Sequence, residues 1–316
     1  MTAVKLLPAS AKPSILLMSS LLILAAAPFV AAGTFVRVGT GMGPYYVELL
    51  DDVAPATVQN FLNYVDRGDF DGTYIHRLER NFVVQGGGYR FQSFVGPIDV
   101  PADPPIVNEF NVSNTRGTLA MAKLDGDPDS ATNEWFVNLS DNSANLDAQN
   151  GGFTVFGNVL GEGMDVLDAI NGLPTIELGT RAPSAPYVTD NFASPTEFVY
   201  INAAVVDRPS ASLHTYENQS GLLFVSASIN NGEEFLGVIM QLVQSEPQIV
   251  FEVKPYSVIS LQDGAEGVAE FATSDSRLRI PALETNFNGT ISVINNVVML
   301  LTDPENLHFT LESYEQ

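Results

Sequence analysis

The 316-residue sequence has no cysteine, three histidines and one tryptophan, and only 16% of its residues are charged. Without cysteine there are no disulfides, thiolate metal sites, thiol nucleophiles or lipid anchors on an N-terminal Cys. Three scattered histidines, His76, His214 and His308, do not make a histidine-rich metal centre. Basic residues are also scarce: 14 Lys and Arg stand against 37 Asp and Glu, a formal charge of −23. A surface of that sign repels phosphate backbones and anionic lipid, so neither nucleic acid nor a membrane surface is expected as a partner. The plain reading of the acidity is solubility. Beyond residue 30 no apolar run is long enough to cross a bilayer, which takes about 20 residues.

What is present is enough apolar sequence, 45%, to bury a sizeable core, in a chain long enough for two domains. Lys5 and Lys12 precede an apolar run over 15–30, and Val30-Ala31-Ala32 ends it in small residues. This is the pattern of a signal peptide over 1–32. An uncleaved anchor is the alternative, for which the run is short and broken by Ser19, Ser20 and Pro28. The expectation is an exported chain, periplasmic or secreted, with no membrane insertion after signal cleavage.

Residues 35–38 and 45–50 read as strands joined by a glycine-rich turn. A helix is expected over 56–65, entered through Pro55 and stopped by Gly68, because Val58, Phe61, Leu62 and Val65 recur at helical spacing. Strand-like sequence follows to residue 161, then a short helix over 163–170, a Pro/Ser/Ala-rich loop over 173–195 and a strand over 198–206. Asp207-Arg208-Pro209-Ser210 reads as a linker. Past it the helical period disappears, and strands are expected at 222–225, 238–243, 249–253, 278–280, 297–301 and 307–311. The pairs Leu222/Leu278, Leu242/Leu300 and Phe251/Phe309 recur at nearly constant separation, through either internal duplication or coincidence among β sequences. The expected organisation is a signal peptide, a first domain over 34–207 and a β-rich accessory domain over 209–316. The last carries no catalytic constellation. It is either a module binding partners, surfaces or unfolded chains, or a structural appendage.

The chemistry concentrates in three clusters. The first runs Ile75-His76-Arg77-Leu78-Glu79-Arg80-Asn81-Phe82-Val83-Val84-Gln85-Gly86-Gly87-Gly88. Its spacing allows one bent strand to turn a guanidinium, an aromatic wall and an amide to one surface, and the glycines permit a tight backbone excursion. The Lys-Ser/Thr of a nucleotide loop is missing. The second runs Arg116-Gly117-Thr118-Leu119-Ala120-Met121-Ala122, then Asp129-Ser130-Ala131-Thr132-Asn133-Glu134-Trp135-Phe136-Val137-Asn138. The third is Asn145-Leu146-Asp147, then Phe153-Thr154-Val155-Phe156-Gly157.

In order and spacing these clusters resemble the cyclophilins, particularly bacterial exported ones. Ile75-His76-Arg77, Phe82 and Gln85-Gly86-Gly87 match the family's Phe-His-Arg…Phe…Gln-Gly-Gly segment. Residues 117–122 match its Gly-x-Leu/Ile-x-Met-Ala strand, Trp135-Phe136 its Phe-Phe pair, and Leu146-Asp147 and Val155-Phe156-Gly157 the later elements. The resemblance implies a mainly β fold: an eight-stranded antiparallel β-barrel capped by two helices, followed here by the C-terminal all-β part. It also implies peptidyl-prolyl cis/trans isomerisation of proline-containing polypeptides, without metal or cofactor. Arg77 takes the catalytic role. Phe82, Gln85, Met121, Ala122, Lys123, Glu134, Phe136, Leu146 and Phe153 take substrate-binding ones, with the backbone of Ala122 and Lys123 receiving the substrate as an added strand. Three groove positions depart from the family: Glu134 replaces Gln, Asn145 a frequent Trp, and Phe153 a His. A carboxylate at 134 either captures Arg77 or orients it. Capture would leave a proline-peptide binding module with little turnover, the alternative to an enzyme.

Overall fold

The computed structural model describes residues 33–315 except 190, 191, 193, 263 and 288. The expected signal peptide lies outside the described residues. The first half contains β1 (Phe35–Thr40), β2 (Tyr45–Leu49), β3 (Thr73–Tyr74), β4 (Arg77–Glu79), β5 (Val83–Gly86), β6 (Tyr89–Gln92), β7 (Gly96–Asp99), β8 (Thr118–Met121), β9 (Trp135–Asn138), β10 (Val155–Val159), the two-residue pair β11 (Thr175–Ile176) and β12 (Ala185–Pro186), and β13 (Tyr200–Val206). Among them are helices α1 (Pro55–Arg67), α2 (Ser143–Leu146) and α3 (Gly163–Gly172).

Strands β3 and β4 are two parts of one staggered strand. The first part pairs with β13 and the second with β5, and between them Ile75 N donates to Val199 O (2.9 Å) and His76 N to Gln85 O (3.2 Å). The sheet therefore closes on itself. Eight strands form the barrel: β1, β2, β10, β8, β9, β5, the β3–β4 strand and β13, all antiparallel. Burial alternates along them, as a barrel requires: in β2, Tyr45, Val47 and Leu49 point in while Tyr46 and Glu48 stay partly open.

Helix α1 begins at Pro55 and ends at Gly68, whose φ of 70° is the left-handed cap that glycine supplies without strain. Its N-terminal cap is supplied by tertiary structure. The Ala54 methyl cannot accept a hydrogen bond, and the Glu109 carboxylate accepts from Ala56 N (3.2 Å), Thr57 N (2.8 Å) and Thr57 Oγ1 (2.8 Å). Val58, Phe61 and Val65 enter the barrel core, where Phe61 meets Phe70, Trp135 and Phe156 at centroid distances of 5.2–6.5 Å. Leu167 and Ile170 of α3 join the same core.

The second half contains β14 (Thr215–Glu217), β15 (Leu222–Ile229), β16 (Glu234–Gln244), β17 (Val250–Val253), β18 (Ile259–Ser260), β19 (Ala269–Ala272), β20 (Arg277–Phe287), β21 (Thr290–Asp303) and β22 (His308–Glu315). Two antiparallel meanders, β15–β16–β17 and β20–β21–β22, join through β17 and β22, and β14 and β19 close the ring between β15 and β20. The ladders shift two of the three residue equivalences read from the sequence. Leu223↔Met240 and Val225↔Val238 occupy the places of Leu278↔Met299 and Ile280↔Val297, and Leu242↔Phe251 that of Leu301↔Phe309. Leu222 is not the counterpart of Leu278. It faces out of the second barrel, toward the first, because a one-residue slip along a strand changes face.

Ala204 and Val206 of β13 pack against Leu222, Phe224 and Ile239 of the second barrel, with Arg37 over the Phe224 ring at 4.9 Å. Asn202 Nδ2 donates to Ser257 O (2.7 Å), and Gln262 N to Gly41 O (2.8 Å). The expected linker is not a free tether: Arg208 pairs with Glu284, and Ser210 Oγ donates to the same carboxylate at 2.8 Å.

Candidate active site

One row of residues runs across the outer face of the first barrel. Arg77 on β4 lies opposite Gln85 on β5, Gln85 opposite Phe136 on β9, Phe136 opposite Ala120 on β8, and Ala120 opposite Val155 on β10. Directly paired side chains on one face of antiparallel strands are neighbours, so the register alone assembles the site. This corrects the single bent strand expected for Arg77, Phe82 and Gln85. They belong to a β4–β5 hairpin whose turn, with Asn81 at φ 55°, brings Phe82 to the groove.

The groove encloses about 290 Å³ and is lined by Arg77, Phe82, Val83, Gln85, Ala122, Lys123, Phe136, Asn145, Leu146, Gln149 and Phe153. Phe136 and Phe153 meet edge to face at 5.8 Å. Phe136 and Leu146 are buried with Val83, Ala120 and Val155 in a small apolar cluster apart from the barrel core. Lys123 Nζ donates to Asn150 O (2.8 Å) and Gly152 O (2.7 Å) beside the Phe153 ring, and burial lowers its pKa. Ala122 N is taken by Glu134 O (2.9 Å), whereas Ala122 O and Lys123 N have no partner among the described residues. Met121 is not in the groove. It follows Ala120 by one position, so its side chain enters the barrel core, 1% exposed.

Arg77 Nη1 donates to Gln85 Oε1 at 3.0 Å, Gln85 Nε2 donates to Glu134 Oε2 at 2.6 Å, and His76 Nε2 lies 3.2 Å from that same oxygen. Burial would raise the Glu134 carboxyl, but His76, and hydrogen bonds from Gln85 and Tyr89, outweigh it and hold the group below the usual carboxylate range. An ionised Glu134 requires Nε2 to carry the His76 proton and fixes the Gln85 amide with its oxygen toward Arg77. Glu134 makes no ion pair with Arg77. The guanidinium lines the groove, and among the described residues its one ion-pair partner is the half-exposed Glu79 at 3.4 Å.

Gly86 leaves no room for a side chain beside Ile201 and Trp135, and Gly87 turns at φ 91° with Asn133 O at 2.4 Å from where a Cβ would stand. Behind the groove, Asn142 Nδ2 donates to Phe82 O (2.8 Å) and Asn138 Oδ1 (2.7 Å), and Asn114 Nδ2 to Phe153 O (2.9 Å) and Asp147 Oδ1 (3.0 Å). This buried amide network, like Gln149 and the short α2 that carries Asn145 and Leu146, escaped sequence reasoning. The local signal was Asn138, a polar residue closing the apolar strand β9.

The groove has apolar walls, backbone groups free to pair with an extended chain, and one guanidinium held at its edge. Such a groove, on the outside of a closed β-barrel, has the shape and chemistry to hold an extended peptide with a compact apolar ring. Residues 35–191 match the family model for cyclophilin type peptidyl-prolyl cis-trans isomerase. A peptidyl-prolyl cis-trans isomerase of Acinetobacter baylyi is 40% identical over 143 residues, 44% of this chain and 73% of that protein. Isomerase B of Escherichia coli is 40% identical over 142 residues, 43% and 83% respectively. A cyclophilin type isomerase structure from Cryptosporidium parvum aligns over 56% of this chain and 99% of its own, at 20% identity and a TM-score of 0.42. The chain belongs to the cyclophilin-type peptidyl-prolyl cis-trans isomerase family and is an enzyme of that activity.

Proposed function

We propose that Arg77 is the catalytic residue, acting on X–Pro bonds of exported polypeptides. Rotation about such a bond faces a barrier of roughly 18–20 kcal/mol because resonance spreads the nitrogen lone pair into the carbonyl. A guanidinium donating to the prolyl nitrogen stabilises the lone pair as it localises in the twisted state, and so binds the transition state better than either planar isomer. Phe82, Phe136, Leu146 and Phe153 wall the proline ring. Ala122 O and Lys123 N pair with the substrate backbone as a neighbouring strand does. Gln85 positions Arg77, and Glu134 positions Gln85. Met121 supports the groove from the core side.

The observation that carries this reading is the Arg77–Gln85–Glu134 chain, in which the carboxylate orients the site without capturing its cation. A non-catalytic binding module would have rested on that capture. Arg77→Ala is expected to lower kcat/KM on a short X–Pro peptide about 10²–10³-fold, the usual cost of one lost transition-state donor. Equal rates for the two proteins would overturn the assignment.

The basic, apolar and small-residue order of 1–32 supports export to the periplasm or beyond. N-terminal sequencing of the mature protein tests it, with a start near residue 33 expected. The chain then divides into the isomerase domain over 34–207 and an accessory barrel over 209–316, and the matching ladders of the two meanders support its origin by duplication.

A further inference from the structure

At one end of the second barrel an apolar cavity of about 430 Å³ opens to solvent. Its floor is Leu223, Phe251 and Met299, all buried, and its mouth is ringed by Ile249, Phe287 and Tyr314, each at least 37% exposed. Among the described residues no charged side chain lines it. Barrel mouths of this size and polarity are ordinary binding sites, and exposed apolar side chains gathered around one are a marker of interaction. A second feature adjoins it. The β20–β21 hairpin extends beyond β22, which first pairs with β21 at Asn295↔Glu315. Among the described residues no strand pairs with the outer side of residues 290–294, so their backbone forms an open edge. Along it Ile291 and Val293 are exposed (48% and 51%), while Ser292 and Ile294 line the cavity.

We propose that this end of the accessory barrel binds an extended apolar segment of an unfolded polypeptide, added as a strand to the 290–294 edge with alternate side chains entering the cavity. The cavity alone would suit any apolar ligand, but an open strand edge adds hydrogen bonds only for a polypeptide. The uncharged lining takes neutral side chains, and the −23 charge of the chain disfavours acidic flanking residues and favours basic ones. A second site on the chain that carries the groove raises the effective concentration of a long substrate there, while a short peptide gains nothing.

The probe is a fluorescent, proline-free peptide of alternating Val and Thr with Lys at both ends, so that binding does not depend on the groove. Fluorescence anisotropy is expected to show saturable binding to wild type. Val293→Lys, which charges the edge, and Phe287→Ser, which opens the mouth, should each weaken it about tenfold or more. Both residues are half-exposed; an unchanged urea unfolding transition reports that the second barrel of each variant has folded, and unchanged turnover of a short X–Pro peptide reports the same for the first. On an unfolded protein whose refolding is limited by X–Pro isomerisation, the same variants should lose the advantage over the short peptide. Absence of peptide binding, or equal binding by wild type and both variants, would overturn the proposal. So would variants that abolish binding of neutral lipid vesicles while leaving the peptide untouched. Failure of the isomerase reading would show instead as loss of short-peptide turnover alone.

Discussion

Glu134 is the residue on which the groove's electrostatics turn. A carboxylate 2.6 Å from Gln85 Nε2 removes the ambiguity of an amide that could face either way. With the amide oxygen on Arg77 Nη1 and Nε facing Glu79 at 3.4 Å, the guanidinium is held in place where it lines the groove. Glu134→Ala frees the amide to flip, and kcat/KM is expected to fall about tenfold, near the 1.5 kcal/mol worth of a hydrogen bond to a charged group. Glu134→Gln keeps an acceptor and should cost less. Rates on a short X–Pro peptide separate the two, and wild-type rates from both variants would remove Glu134 from the site.

At the scale of elements, Gly86 at the end of β5 and Gly87 just past it are needed where backbone and side chains leave no space. An alanine at Gly87 must hold φ 91° and place its Cβ 2.4 Å from Asn133 O and 3.0 Å from Trp135. Gly87→Ala is expected to cost at least about 2 kcal/mol by urea unfolding, since strain and clash add. Gly96 has a similar φ of 98° with nothing within 4 Å, so Gly96→Ala isolates the backbone term, about 1–2 kcal/mol. Equal losses at the two positions would show that the contact with Asn133 carries no cost.

At the scale of the whole molecule, the described residues from Gly33 onward gather into one compact unit, and its junction carries a buried carboxyl that titrates unusually high. Burial, then the neighbouring Asp207, pushes the Glu217 carboxyl up to about 7, and Asn286 Nδ2 bridges both acids, at 2.9 Å from Glu217 and 3.2 Å from Asp207. The folded chain keeps this proton up to about pH 7, whereas the unfolded chain releases it near its ordinary pKa of about 4.3. Between those values the folded state binds more protons, so stability is full at low pH and falls as pH rises toward 7. Unfolding free energies from urea titrations at pH 5 and pH 8 should differ by on the order of 2 kcal/mol in wild type. Glu217→Gln, which needs no proton to pair with Asp207, should flatten the difference. An unchanged slope in the variant would assign the effect elsewhere.

The sequence by itself determined what is short-range. Pro55 and Gly68 bounded α1, the helical period of Val58, Phe61 and Val65 chose its buried face, and the motif residues named the family and most of the groove. These features are readable because caps, turns and periodicity act within a few residues. The tertiary structure decided what depends on register and closure. It turned Met121 inward and Ala120 outward, set Arg77 opposite Gln85 on a hairpin, and supplied Glu109 to cap a helix more than fifty residues away. It also paired Leu223, not Leu222, with the core of the second barrel, and brought Asp207 and Glu217 to one amide. A strand's pattern carries a period of two but not the partner against which it is counted, and a one-residue choice of partner reverses every face. That choice is made only when the barrel closes.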